Sequence, residues 1–112
     1  MPPGKIDFDH VRTIALKLPG VEESTMRGAR ALKVRGKLLA CTPIHKSAEP
    51  GSLAVRVNFD HRAELLASSP DIYYVTDHYL NYPTVLVRLA HIHSDALSGL
   101  LDMAWRFVTA KK

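Results

Sequence analysis

Five basic side chains fall between positions 27 and 37, namely Arg27, Arg30, Lys33, Arg35 and Lys37, with no carboxylate among them. Guanidinium and ammonium groups at this density hold anionic oxygens, phosphate above all, through charge-assisted hydrogen bonds that weaken as salt rises. Arg56 and Arg88 lie further on, each in a stretch where apolar and polar residues alternate. Strand geometry can bring them onto the same surface as the first group. These seven residues are the nucleic-acid-binding candidates. The competing explanation is that they are solvated charges that keep an exposed hairpin soluble and discourage edge pairing. A second candidate is aromatic: Tyr73, Tyr74, His78, Tyr79 and Tyr82 crowd one short region. Of these, His78, Tyr79 and Tyr82 can line a small-ligand pocket or stack on bases. Rings of this kind more often pack at a sheet edge with their hydroxyls bonded.

Catalytic and metal chemistry find less support. His91 and His93 share one side if the chain there is a strand, but a metal site needs three or four ligands with ordered support behind them. His10, His45 and His61 read as surface residues. Cys41 alternates with Leu39 and reads as a buried, inert thiol. No serine has a Gly-x-Ser-x-Gly setting. Glu22 and Glu23 are adjacent, so on a strand they point to opposite faces. The chain therefore reads as non-enzymatic, with no catalytic residue, no metal and no cofactor expected.

The elements that must position these residues follow from periodicity. Asp7 is placed to cap a first helix with Phe8, Val11, Ile14, Ala15 and Leu18 on one face, ended by Pro19-Gly20. Glu23–Met26 is a weak strand. Ala29–Arg35 and Lys37–Thr42 are stronger ones, joined at Arg35-Gly36, where glycine tolerates positive φ. Residues 43–51 form a loop or hairpin tip. Leu53, Val55, Val57 and Phe59 then alternate with Ala54, Arg56 and Asn58 as a half-buried strand. Asp60 is placed to cap a short helix to Ser68, with Ala63 and Leu66 facing in. A short strand over 72–75, a loop over 76–83 and a strand over 84–89 lead to a last helix capped by Ser94. Its stripe is Leu97, Leu100, Leu101, Ala104, Trp105 and Val108.

Hairpin-length connections predict a mainly antiparallel sheet, and the helices are too few to cover both of its faces. The expected fold is α+β, a two-layer α/β sandwich in the order α, three or four strands, α, two strands, α. With a two-residue turn, Val34 faces Lys37, and Leu32 and Leu39 point towards the helices. Ala31, Lys33, Arg35, Leu38 and Ala40 then point the other way. Lys33, Arg35, Arg56 and Arg88 are expected on one open face, while Arg30 and Lys37 leave from the helix side. A one-residue slip would undo the hairpin part of this assignment.

The chain has 112 residues, enough for one modest core and one domain, with an ordered part over about 7–110. Disorder is expected only at residues 1–5 and 111–112. The formal net charge is +4, and all of the excess lies in residues 1–50, with nine Lys or Arg against five Asp or Glu. That asymmetry suits nucleic acid, an anionic small molecule or an acidic protein surface. A single cysteine excludes an internal disulfide. No apolar run has the length of a signal peptide or a membrane span, so a cytoplasmic protein without membrane contact is expected.

The ordered landmarks Leu18-Pro19-Gly20-Val21-Glu22-Glu23-Ser24, Leu32 to Ala40, Tyr73 to Tyr79 with Tyr82-Pro83, Val85 to Leu89, and Ala104-Trp105-Arg106 resemble the YjbR/MmcQ family of small bacterial domains. The resemblance covers residues 8–110. It implies a frataxin-like (CyaY-like) fold, also grouped with type III secretion chaperones, and carries a DNA-binding label through a "double wing" of hairpins. It implies no catalytic motif. The acidic first-helix ridge of an iron-binding frataxin is missing, since Asp7 and Asp9 are accompanied by His10, Arg12 and Lys17. The leading expectation is a DNA-binding module. The alternatives are a protein-interaction module, monomeric or homodimeric, and a small-ligand-binding domain.

Overall fold

A computed structural model describes residues 6–110, so the expected disorder at residues 1–5 and 111–112 lies outside the described residues. Helix α1 (Phe8–Ala15) begins where the side chain of Asp7 accepts the backbone N–H of His10 at 3.0 Å. Strands β1 (Val21–Met26), β2 (Ala29–Val34) and β3 (Lys37–Cys41) follow as a meander, and β4 (Ser52–Arg56) continues it. After α2 (Phe59–Ser68) come the two-residue strand β5 (Tyr73–Tyr74), a 3₁₀ turn at Asp77–Tyr79, β6 (Thr84–Arg88) and the long helix α3 (Ser94–Thr109). The sheet order is β1-β2-β3-β4-β6-β5, with every pairing antiparallel. The α+β architecture expected from the sequence is thus observed.

Both hairpins of the meander are closed by an Arg-Gly pair at positive φ, 52° and 84° at Arg27-Gly28 and 54° and 78° at Arg35-Gly36. Two successive positive-φ residues define a type I′ turn, whose twist matches that of the flanking strands. Glycine supplies the second position freely, whereas arginine occupies the first at a steric cost. The two turns lie at opposite ends of β2.

The helices cover one face. Leu97, Leu100, Leu101, Ala104 and Val108 of α3 pack with Leu32, Val34, Leu39, Leu53, Val55, Val85 and Val87 of the sheet and with Val11 and Ala15 of α1. Trp105 sits at the rim and donates its indole N–H to the carbonyl of Pro19 at 2.8 Å. The opposite face is thinner. Ala31, Cys41, Ala54 and Leu86 are buried there beneath Met26, Leu38, Ala48, Tyr74 and Tyr79. Two loops, over residues 43–51 and 76–83, therefore supply the cover that no helix provides.

The structure corrects several local expectations. A bulge in the β2–β3 pairing sets Leu32 opposite Ala40 and Lys33 opposite Leu38, leaving Leu39 as the extra residue. As a result Leu39 and Ala40 both enter the helix-side core, and Cys41 moves to the other face. Helix α2 is capped by Asn58, not Asp60, and Phe59 belongs to that helix instead of the preceding strand. Ala63 is exposed, and the residue of α2 that turns in and is buried is Arg62. His93, not Ser94, occupies the cap position of α3 and makes no side-chain cap bond. His91 and His93 lie in the turn after β6 instead of on a strand.

Candidate functional site

The register aligns one row of residues across the open face. Ser24, Ala31, Cys41, Ala54, Leu86 and Tyr74 are successive cross-strand neighbours from β1 to β5. Small side chains in the middle of this row leave room for the loops. Tyr74 fixes one of them, accepting the N–H of Glu49 at 2.8 Å and sharing a 2.6 Å hydrogen bond with the hydroxyl of Ser52.

The next row, towards the Arg35-Gly36 turn, carries the charge. Glu22, Lys33 and Leu38 are neighbours on β1, β2 and β3, and Arg56 and Thr84 on β4 and β6. Lys33 lies between the inward-facing Leu32 and Val34, and Arg56 between Val55 and Val57, so both cations leave from the open face. Among the described residues neither forms an ion pair, and the same holds for Arg27, Arg35 and Lys37. Glu22, opposite Lys33 in register, is not in salt-bridge contact with it. Arg56 also acts on Cys41: burial pushes the thiol pKa up, and the guanidinium pulls it partly back.

The remaining candidates are engaged elsewhere. Arg30 points to the helix side, as its place beside Leu32 requires, and bonds Asp9 at 2.8 Å and Glu23 at 3.2 Å while resting on the Phe8 ring. Arg12 joins this network through Glu23 at 2.7 Å, and hydrogen bonds from Arg12 and then Arg30 hold the Glu23 carboxyl below its usual range. Arg88 is on the open face but is clamped. It grips both oxygens of Glu49 at 3.0 and 2.9 Å, donates to the carbonyls of Pro70 and Asp71, and stacks on Tyr74 with its guanidinium carbon 4.4 Å from the ring centre. Arg27 sits at the far turn, one strand length from Arg35. Of the seven basic candidates, the fold thus gathers Lys33, Arg35, Lys37 and Arg56 at one end of the sheet.

The aromatic candidates form a second group beside that end. His78 stacks on His45 with centroids 3.7 Å apart and planes 9° from parallel, and the Tyr79 ring stands at 85° to His78 with centroids 4.8 Å apart. Tyr82 is 6.2 Å from His78 and 53% exposed. Tyr79 packs over the second core cluster, and this burial raises its phenol pKa. The stack spans the two covering loops, reinforced by hydrogen bonds that the Ser47 hydroxyl shares with His45 Nδ1 at 2.7 Å and with the Thr76 hydroxyl at 2.8 Å. Desolvation first, then His78 and Lys46, lower the pKa of His45. Two shallow clefts, of about 540 Å³ between α1 and α3 and about 450 Å³ beside Glu49 and Arg88, include none of His78, Tyr79 and Tyr82. No group of three or more metal-ligating side chains occurs among the described residues. No helix among them is long and apolar enough to cross a membrane.

Sequence reasoning missed Arg62. Its guanidinium donates to the carbonyls of Leu80 and Tyr82, both at 2.9 Å, with longer bonds to those of Thr84 and Tyr79, and packs on Phe59. It thereby holds the 76–83 loop from beneath. The available signal was helical spacing: Arg62 lies four residues before the inward-facing Leu66, which places a cation on the inward stripe.

Three antiparallel hairpins, a six-stranded open sheet and helices on one side define the class of this domain, an α+β fold with a basic sheet end. The YjbR family model matches residues 16–107, and the chain belongs to the YjbR family. It is 34% identical over 119 residues to uncharacterized proteins of Mycobacterium bovis and Mycobacterium tuberculosis, spanning 94% of this chain and 90% of each relative. Its fold is similar to that of the crystal structure of Deinococcus radiodurans protein DR2400, a DUF419 domain. There the TM-score is 0.78 at 22% identity, over 99% of this chain and 84% of that one.

Proposed function

We propose that this protein binds the phosphate backbone of nucleic acid, DNA in the first instance, through the β2–β3 hairpin and the adjoining end of the open sheet face. The observation that carries the reading is the contrast in pairing. Lys33 and Arg56 leave from that face without an ion-pair partner among the described residues, while Arg30 and Arg88 are neutralised by carboxylates. Arg35 and Lys37 extend the unpaired group at the turn. Cations already held by Asp or Glu must lose that partner before they can take a phosphate, whereas unpaired ones release only counterions.

The test is affinity for a labelled DNA duplex at two salt concentrations. Four phosphate contacts predict a log–log salt slope of about −3 to −4. The combined substitution Lys33→Ala, Arg35→Asn, Lys37→Ala and Arg56→Ala should weaken binding and flatten that slope. Asparagine at position 35 keeps a residue that tolerates the left-handed turn. Binding that is insensitive to both salt and the substitutions would overturn the reading.

A further inference from the structure

The unpaired cations and the exposed rings lie on neighbouring ground. Thr84, the cross-strand partner of Arg56, is two residues from Tyr82, and Pro83 between them accepts the N–H of Val57 at 3.0 Å. Cys41, opposite Ala54 on the strand that carries Arg56, belongs to the cluster over which Tyr79 packs. The charged row therefore ends beside Tyr79, His78 and Tyr82. From Lys33 on β2 to Thr84 on β6 the path crosses three strand spacings, about 14–15 Å. His78 is exposed, with His45 on one side of its ring. Tyr82 is among the most exposed large apolar side chains of the described chain.

We infer that the nucleic acid taken at this site is single-stranded, with its backbone along Lys33 and Arg56 and an unpaired base stacked on Tyr82 and the adjoining His78. This deepens the backbone-binding reading and rests on it. A cationic track beside open aromatic faces is the arrangement that binds single strands without sequence preference, because every base offers a π-face. In a duplex those faces are consumed by neighbouring base pairs, so Tyr82 and His78 would have nothing to stack on. The rings are also held in place in advance. Tyr82 lies on a loop whose carbonyls are gripped by the buried Arg62, and His78 is braced by His45. Little ordering is then left to be lost on binding.

The probes are labelled oligodeoxythymidylate, oligouridylate of the same length, and the duplex of the first with oligodeoxyadenylate. The single strands should bind more tightly than the duplex. Tyr82→Ala should weaken single-strand binding about tenfold, and Tyr82→Phe, which keeps the ring, should leave it unchanged. Leu16→Ala serves as a folding control, an exposed apolar side chain at the end of α1 and outside the track. Duplex binding that is steep in salt, lost with Lys33 and Arg56, and matched by single-strand binding indifferent to Tyr82→Ala would overturn this inference while leaving the backbone reading intact. Failure of all three probes to bind would overturn both. A preference for oligouridylate or for oligodeoxythymidylate supports the inference either way and assigns the strand as RNA or DNA.

Discussion

The two faces of the sheet differ in side-chain size before they differ in charge. On the helix side, leucine and valine from six elements interlock with α3, and Arg30, which leaves from that side of β2, is neutralised by Asp9 and Glu23. On the other side, Ala31, Cys41 and Ala54 make a low floor that loops, not helices, bury. Where the loops stop, Lys33 and Arg56 stand without carboxylate partners. Charge count alone does not separate a structural arginine from one free to bind, but its surroundings do. Arg88 is on the open face and is nevertheless consumed by Glu49, two carbonyls and Tyr74.

That contrast can be broken most severely in the cores. Leu101→Ala should cost about 2–5 kcal/mol in urea denaturation, since it opens a cavity against the sheet. Cys41→Ala, on the thin side, removes a single heavy atom and should cost no more than about 1 kcal/mol. Equal losses would show that the two faces are not unequal cores after all.

The division among cations is sharpened by a smaller effect. Arg62→Met leaves the carbonyls of Leu80 and Tyr82 without their donor and should cost about 1–3 kcal/mol. Amide exchange should accelerate within residues 76–84 while β1 and β2 keep their protection. Arg56→Met, at a position with no partner to lose, should stay within about 0.5 kcal/mol of the wild type. A destabilising Arg56→Met would move that residue into the structural class and weaken its claim on phosphate.

The smallest expected effect is on pH dependence. His45 has a lowered pKa in the folded state, so the unfolded chain binds its proton more readily. The stabilisation from the neutral ring is complete above the ordinary histidine value of 6.5, and it is lost as pH falls through the folded value below it. Protonation there would also set a second positive charge against Lys46 and the stacked His78. Melting temperature followed downward from neutral pH should decline in this window, and His45→Gln should shallow the decline. An identical slope in that variant would detach the stack from loop stability.

Much of the fold was legible because it depends on local rules. Asp7 caps α1, the α3 stripe is buried apart from Trp105 at its rim, and Arg35-Gly36 makes the two-residue turn that sets Val34 against Lys37. From that register alone Arg30 could be assigned to the helix side and Lys33 to the other. The misreadings share a cause. A bulge at Leu39 shifts parity by one residue, and the alternation of Leu53, Val55 and Val57 runs on to Phe59 although Asn58 has already begun a helix. Neither interruption changes composition, so periodicity passes through both.

By itself, then, the sequence determined most of the elements, their antiparallel succession, the face without helices and the sides from which Arg30 and Lys33 leave. These follow from φ preferences, capping and the two-residue period, all of which act between near neighbours. Only the tertiary structure decided which cations remain free and which rings meet them. Glu49 reaches Arg88 from 39 residues away, and Arg62 grips a loop about 20 residues further on. His45 finds His78 across the sheet. Contacts between such distant positions depend on how the whole chain packs, and no local pattern encodes them.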